Sequence, residues 1–192
     1  REGRRLMGRT TVTERDLLPI STEALRGPLP IDAQGRCTSI AVGTYANDHH
    51  YPGEDWPLAP KSVRWGGRWS GTPFCIPFDA LITDSIPNLV MAEKGFSVSH
   101  MANGATRLQP LILNLGQVAG LAAAMAVRQG CDPADLQVEA IQSTLIHEPQ
   151  APAAVLPIWD WPLWHPHWVK AQEQGLAQPE HMDAMGRVSG PW

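Results

Sequence analysis

The 192-residue sequence is poor in cysteine, in net charge and in repeated pattern. Its three cysteines, Cys37, Cys75 and Cys131, are odd in number and widely spaced. That excludes a disulfide framework and a cysteine-built zinc centre, and it favours a reducing, cytoplasmic setting. A net charge of −4 excludes a polycation built for nucleic acid or an anionic membrane surface. No apolar, signal-like run follows Arg1 and no internal repeat is present. The chain starts at Arg rather than Met, so it reads as the C-terminal part of something longer, or as a mature or excised piece. With 43% hydrophobic residues it has the composition of an ordinary globular protein.

What is present is one long uncharged run, Leu108 to Val127, with a Gly-x-x-x-Gly pair at Gly116 and Gly120. Its length would span a bilayer. Gln109, Pro110, Asn114 and Gln117 fall inside it, which favours a helix buried on all sides of a globular protein over a membrane anchor.

Along the chain, Leu6 to Val12 is strand-compatible, and Thr13-Glu14-Arg15-Asp16 is a helix start with Thr13 as cap. Thr38 to Tyr45 predicts a strand with Ile40 and Val42 on one face. It leads into the polar cluster Asn47-Asp48-His49-His50. Residues 51–72, rich in Pro, Gly and Trp, read as a long loop. Thr72 to Phe78 and Leu81 to Thr83 are extended, and Ile86 to Ala92 predicts an apolar strand from the middle of a sheet. A polar loop then feeds a helix from about Leu111 to Gln129, stopped by Gly130. Asp132-Pro133-Ala134-Asp135 restarts a second helix with Val138, Ile141 and Leu145 on its buried stripe. The expected divisions are 1–80 (strands and loops), 81–130 (strand, loop and helix), 131–150 (C-terminal helix) and 151–192 (a Trp- and Pro-rich appendage).

Several stretches resemble one family. Arg1-Glu2-x-Arg4-Arg5, Gly8 and Thr13-Glu14-Arg15-Asp16-Leu17 form one patch, and Ile76-Pro77-Phe78, Leu81-Ile82 and Ile86-Pro87-Asn88-Leu89 a second. The third runs from Ser97-Val98-Ser99-His100 through Asn103-Gly104, Arg107 and Pro110 to Leu115-Gly116-Gln117-Val118-Ala119-Gly120-Leu121-Ala122-Ala123. Together, over about residues 1–147, they resemble FAD-dependent oxidoreductases of the FAD/NAD(P)-binding superfamily. Where many members have Ala-Gly-Arg, this chain has Ala92-Glu93-Lys94, and the family's Ile-Asp-Ile-His element is only loosely echoed at Asp48-His49-His50. The resemblance implies an α/β chain with α+β character, the C-terminal half of a Rossmann-like flavoprotein with substrate-domain strands. It implies FAD as cofactor, an unknown small-molecule substrate, and hydride or electron transfer. The chain contains no Gly-x-Gly-x-x-Gly phosphate turn; Gly66-Gly67 lacks its spacing. The resemblance therefore also implies a missing N-terminal half, and weak or no FAD binding by this chain alone.

Each candidate residue has a plainer reading beside the functional one. Asn114-Leu115-Gly116-Gln117 either offer amides at a helix N-terminus to an electron-rich flavin edge or only pack a core helix. Arg107 is either a flavin- or substrate-facing cation or half of a surface ion pair. His100 is either a proton donor to the reaction or a satisfied structural histidine. Asn103 shapes a turn with Gly104 or touches a ligand, and Glu93 and Lys94 either contact cofactor beyond a strand end or are solvated charges. His49 and His50 read foremost as solvated loop residues. The His165 and His167 pair is too small a set for a metal, and Trp159, Trp161, Trp164 and Trp168 read as a plug for a groove. Arg1, Arg4 and Arg5 are either an anion anchor or the charged start of a strand. Two rivals to the flavoprotein reading are a non-catalytic module that docks through exposed apolar and Trp surface, and a membrane-anchored protein.

Overall fold

A computed structural model describes residues 3–18, 27–45, 73–151 and 153–156. Arg1, the 46–50 cluster, the 51–72 loop and the Trp- and His-bearing stretch from 157 onward lie outside the described residues. The order of elements is a short 3-10 turn Glu14–Leu17, strand β1 (Ser39–Gly43), strand β2 (Phe74–Pro77), helix α1 (His100–Thr106), helix α2 (Gln109–Gln129), a 3-10 turn Pro133–Asp135, and helix α3 (Val138–His147). This is a mixed fold of helices and a small sheet, which agrees with the expected α/β class.

β1 and β2 pair antiparallel, with Ala41 opposite Ile76, Val42 opposite Cys75 and Gly43 opposite Phe74, and with an irregularity between Ser39 and Ala41. Both are mostly apolar and almost wholly buried, as strands covered on two faces must be. α2 packs on β1, on α3 and on the Pro133–Asp135 turn. Its buried residues Leu111, Leu115, Val118, Ala119, Ala122 and Ala126 recur at helical spacing. All of these but Ala119 form one core with Ile40, Ile76, Phe78, Leu81, Phe96, Ile141 and Leu145, which Val155 and Leu156 also join.

The N-terminal segment is threaded through this core by backbone bonds. Leu6 N donates to Gly95 O at 2.7 Å, Arg9 N to Ile82 O at 3.0 Å, Thr10 N to Asp79 O at 3.2 Å and Val12 N to Ser97 O at 3.0 Å. Val12 and Val98 make an isolated parallel bridge. The two patches of sequence farthest apart in the resemblance thus meet in space. The Thr13 start holds as expected: Asp16 Oδ2 accepts from Thr13 N at 2.7 Å and from its hydroxyl at 3.0 Å.

Four expectations are corrected. First, Ile86–Ala92 is not a strand among the described residues. Leu89 N closes a turn on Ile86 O at 3.0 Å, and Pro87-Asn88 is the turn dipeptide that makes it. Beyond it, Met91 N donates to Leu81 O at 2.8 Å. Second, the polar loop contains α1. Ser99 caps it, its Oγ accepting from Ala102 N at 3.1 Å, so Asn103 sits inside a helix rather than in a turn. Third, Asp132 caps the 3-10 turn Pro133–Asp135, while α3 starts after Gln137.

The fourth correction concerns α2. It is long and apolar enough by length and composition to cross a membrane. It is not buried on all sides: one face packs on the core, and Leu113 is 75% and Val127 83% exposed. Gly130 ends the helix in the left-handed region, φ 65°, as expected of a glycine there.

Candidate functional site

The site centres on the junction of α1 and α2 and on the face of α2 that leaves the core. α1 carries His100 at its first position, exposed, and Asn103, which is buried. Arg107 closes α1, its backbone N–H donating to Asn103 O at 3.2 Å, and its side chain is half-buried. Leu108 follows as the cap of α2, and Pro110 occupies the first turn, where its missing N–H costs nothing. Ser99 Oγ also donates to Glu14 Oε2 at 3.2 Å, so the start of α1 is tied to the N-terminal 3-10 turn.

α2 starts at Gln109, two residues earlier than expected. Asn114 to Gln117 therefore lie beyond its first turn, and their amides belong to the helix ladder. The amide argument moves to Gln109 and Leu111; Ile112 N already donates to Leu108 O at 3.0 Å. Leu115 is fully buried in the core, and Gln117 Nε2 donates to Ala151 O at 2.6 Å. Asn114 differs from its neighbours: its Nδ2 is covered yet has no hydrogen-bond partner among the described residues. Thr106 Oγ1, at the end of α1, has none either. Buried donors without acceptors are uncommon in folded chains and mark incomplete surroundings.

Above Asn114 runs a stripe of Leu113, Gly116, Gly120, Ala123 and Val127, mostly exposed. A Cβ on Gly120 would meet nothing within 4 Å, and one on Gly116 would come 3.8 Å from Ala92 O. The backbone just before Glu93 and Lys94 therefore lies against the middle of α2, and both of these side chains are exposed. The structure thus brings Glu93 and Lys94 close to Gly116, and it joins Asn103 and Arg107 in one helix end.

The Ser99 cap was readable, because Ser ahead of an apolar-periodic stretch starts helices. The unpartnered Thr106 and Asn114 groups were not, since partnership is a tertiary property.

The chain belongs to the FAD dependent oxidoreductase family, whose model matches residues 1–145. FAD is the cofactor this membership implies, and its chemistry is flavin-linked oxidation–reduction. No curated protein and no solved structure matches the chain.

The residues present fit one end of FAD. A face of small side chains accommodates a flat ring or a closely packed element, the covered Nδ2 of Asn114 lacks an acceptor, and the amides of Gln109 and Leu111 open the helix. The sequence contains no Gly-x-Gly-x-x-Gly turn of the kind that holds a dinucleotide pyrophosphate.

Proposed function

We propose that this chain supplies the flavin-ring end of an FAD site, while a segment carrying the phosphate turn completes it. The observation that carries this reading is the stripe Leu113, Gly116, Gly120, Ala123 and Val127, mostly exposed among the described residues, beside the Asn114 donor that has no acceptor among them. When bound, FAD supplies hydride or electron transfer.

In this reading the first-turn amides of α2 and the Asn114 amide favour negative charge at the near edge of the ring. Gly116 and Gln117 form the face of the helix toward it, and Leu115 anchors that helix in the core from behind. Lys94, Glu93 and Arg107 set the charge around the cofactor, and Asn103 fixes the end of α1 on which Arg107 sits. His100, exposed at the start of α1, is the group that holds or releases a proton at its ring nitrogen. The substrate is a small molecule, nucleic acid and membrane are not partners, and the isolated chain binds FAD weakly or not at all.

The test is the colour of the complete protein. Purified without detergent, it carries flavin absorbance, and Arg107→Ala combined with Gly116→Leu removes it. A complete protein that stays colourless and takes up no added FAD overturns the reading. So does tight, stoichiometric FAD binding by residues 1–192 alone. Recovery only in detergent would favour the membrane rival for α2.

A further inference from the structure

A cavity of about 210 Å³ opens between the N-terminal segment, β2 and the loop before β1. Thr10, Thr11 and Val12 form one wall, and Pro77 and Asp79 form another. None of its lining residues belongs to α1 or α2, so it stands apart from the flavin reading. A cavity of roughly 150 Å³ holds a benzene ring, so this one has room for a molecule a little larger.

The lining contains three carboxylates, Asp16, Asp32 and Asp79, and among the described residues no Lys, Arg or His. Two of the three are already engaged. Asp16 Oδ2 accepts from the backbone and the hydroxyl of Thr13. Asp32 accepts from the amides of Gln34 and Arg36 and from the Arg36 Nε, at 2.9, 2.8 and 2.8 Å.

Asp79 is different. Its nearest cation, Arg9, stands 3.9 Å away, beyond hydrogen-bond reach. The Arg9 guanidinium is spent elsewhere, on Asp84 at 2.7 Å and on Ala134 O at 2.7 Å. The Asp79 carboxylate, 40% exposed on the cavity wall, thus accepts no side-chain hydrogen bond from the described residues, and the exposed Thr10 hydroxyl on the other wall makes none among them. No group of three side chains able to hold a metal occurs among the described residues, which sets this arrangement apart from a cation site. A carboxylate acceptor and a hydroxyl, with apolar contact from Val12, Ile31 and Pro77, match an organic ammonium that also carries hydroxyls.

We propose that this cavity binds a small hydroxylated amine in its ammonium form, with the charge on Asp79 and a hydroxyl on Thr10. The test is an NMR titration of the full chain with diethanolamine, following the Thr10, Thr11 and Asp79 amides. Diethylene glycol, with an ether oxygen in place of the ammonium, serves as the neutral counterpart. Diethanolamine is expected to bind saturably, and the glycol about tenfold or more weakly, the margin a charged hydrogen bond supplies. Asp79→Asn is expected to weaken diethanolamine by a similar factor, and Ile31→Trp, which fills the mouth, to abolish binding. Glu148→Gln, at the end of α3 and outside the cavity lining, leaves binding unchanged. Equal affinity for the two probes, undiminished binding by Asp79→Asn, or the absence of saturable binding overturns the proposal.

Discussion

Gly8 lies against Ser97 so closely that a Cβ on the glycine would stand 2.8 Å from the Ser97 Cβ, with Asp79 O at 2.9 Å. Both distances are shorter than carbon contacts allow, and one of the obstacles is backbone, which cannot swing aside. The close approach is what lets residues 6–12 bond along 79–82 and 95–97. Gly8→Ala is therefore expected to destabilise the chain by about 1–3 kcal/mol, the usual cost of overpacking. Urea unfolding reads this directly. Gly3→Ala, where a Cβ would meet nothing within 4 Å, is the control and should leave the midpoint in place.

Gln142 fastens α3 to the sheet. It is 3% exposed, and its Nε2 donates to Cys37 O and to Ser39 O, each at 2.8 Å. Those carbonyls sit at the start of β1, where the irregular register leaves them for a side chain to satisfy. Gln142→Leu keeps the volume and removes the donor, so two carbonyls lose their partner. The expected loss is roughly 1–3 kcal/mol, seen as a lower unfolding midpoint with an unchanged denaturant slope.

The elements legible in the sequence are those whose cause is local. Thr13 with Asp16, Gly130 and the apolar spacing of α2 and α3 each act within a few residues; each element is present, although α2 starts two residues early, at Gln109, and α3 starts only after Gln137. The run Ile86–Ala92 misled because apolar content suggests a strand, while a strand exists only where a partner offers a ladder. Its Pro87-Asn88 dipeptide carried the better signal. Charge-free composition likewise suggested burial all round for α2, although composition cannot say which faces find neighbours. Of the candidate residues, Asn103 reads from the sequence as a turn residue, and the helix α1 that joins it to Arg107 was not expected there. The approach of Ala92 to Gly116, and the cavity wall at Asp79, come from segments distant in sequence and left no trace in it.

Asp79 and Asp32 are expected to push acid stability in opposite directions. Burial raises the Asp79 carboxyl above its ordinary value of 3.8, with Arg9 opposing and Asp84 and Asp32 adding to the rise. The folded state then holds a proton that the unfolded state has released. Stability from this group is lost as pH rises from 3.8 through the folded value, and the cost is complete above it. Asp79→Asn should raise the urea midpoint at about pH 7 and have no effect near pH 3; solvent around a side chain 40% exposed keeps the gain small. Asp32 is lowered, first by the Arg36 amide, so its contribution is present above 3.8 and fades as pH falls through the folded value. Asp32→Asn should therefore cost stability at about pH 7 and nothing in strong acid.

Gly120 separates a covered helix face from an open one. In the chain as described, a methyl group there meets nothing, and alanine is a better helix former than glycine by about 0.8–1.0 kcal/mol. Gly120→Ala should therefore stabilise the isolated chain by about that amount, seen as a higher midpoint in repeated urea curves. In the complete flavoprotein the proposed covering of Gly116, Gly120 and Ala123 leaves no space for the added methyl. The same substitution should then lower bound FAD per protein while the isolated chain gains stability. Opposite signs in the two measurements mean that the face is held against something at glycine distance. If the complete protein also gains stability and keeps its flavin, the stripe is open to solvent in the working enzyme, and the helix would serve the core alone.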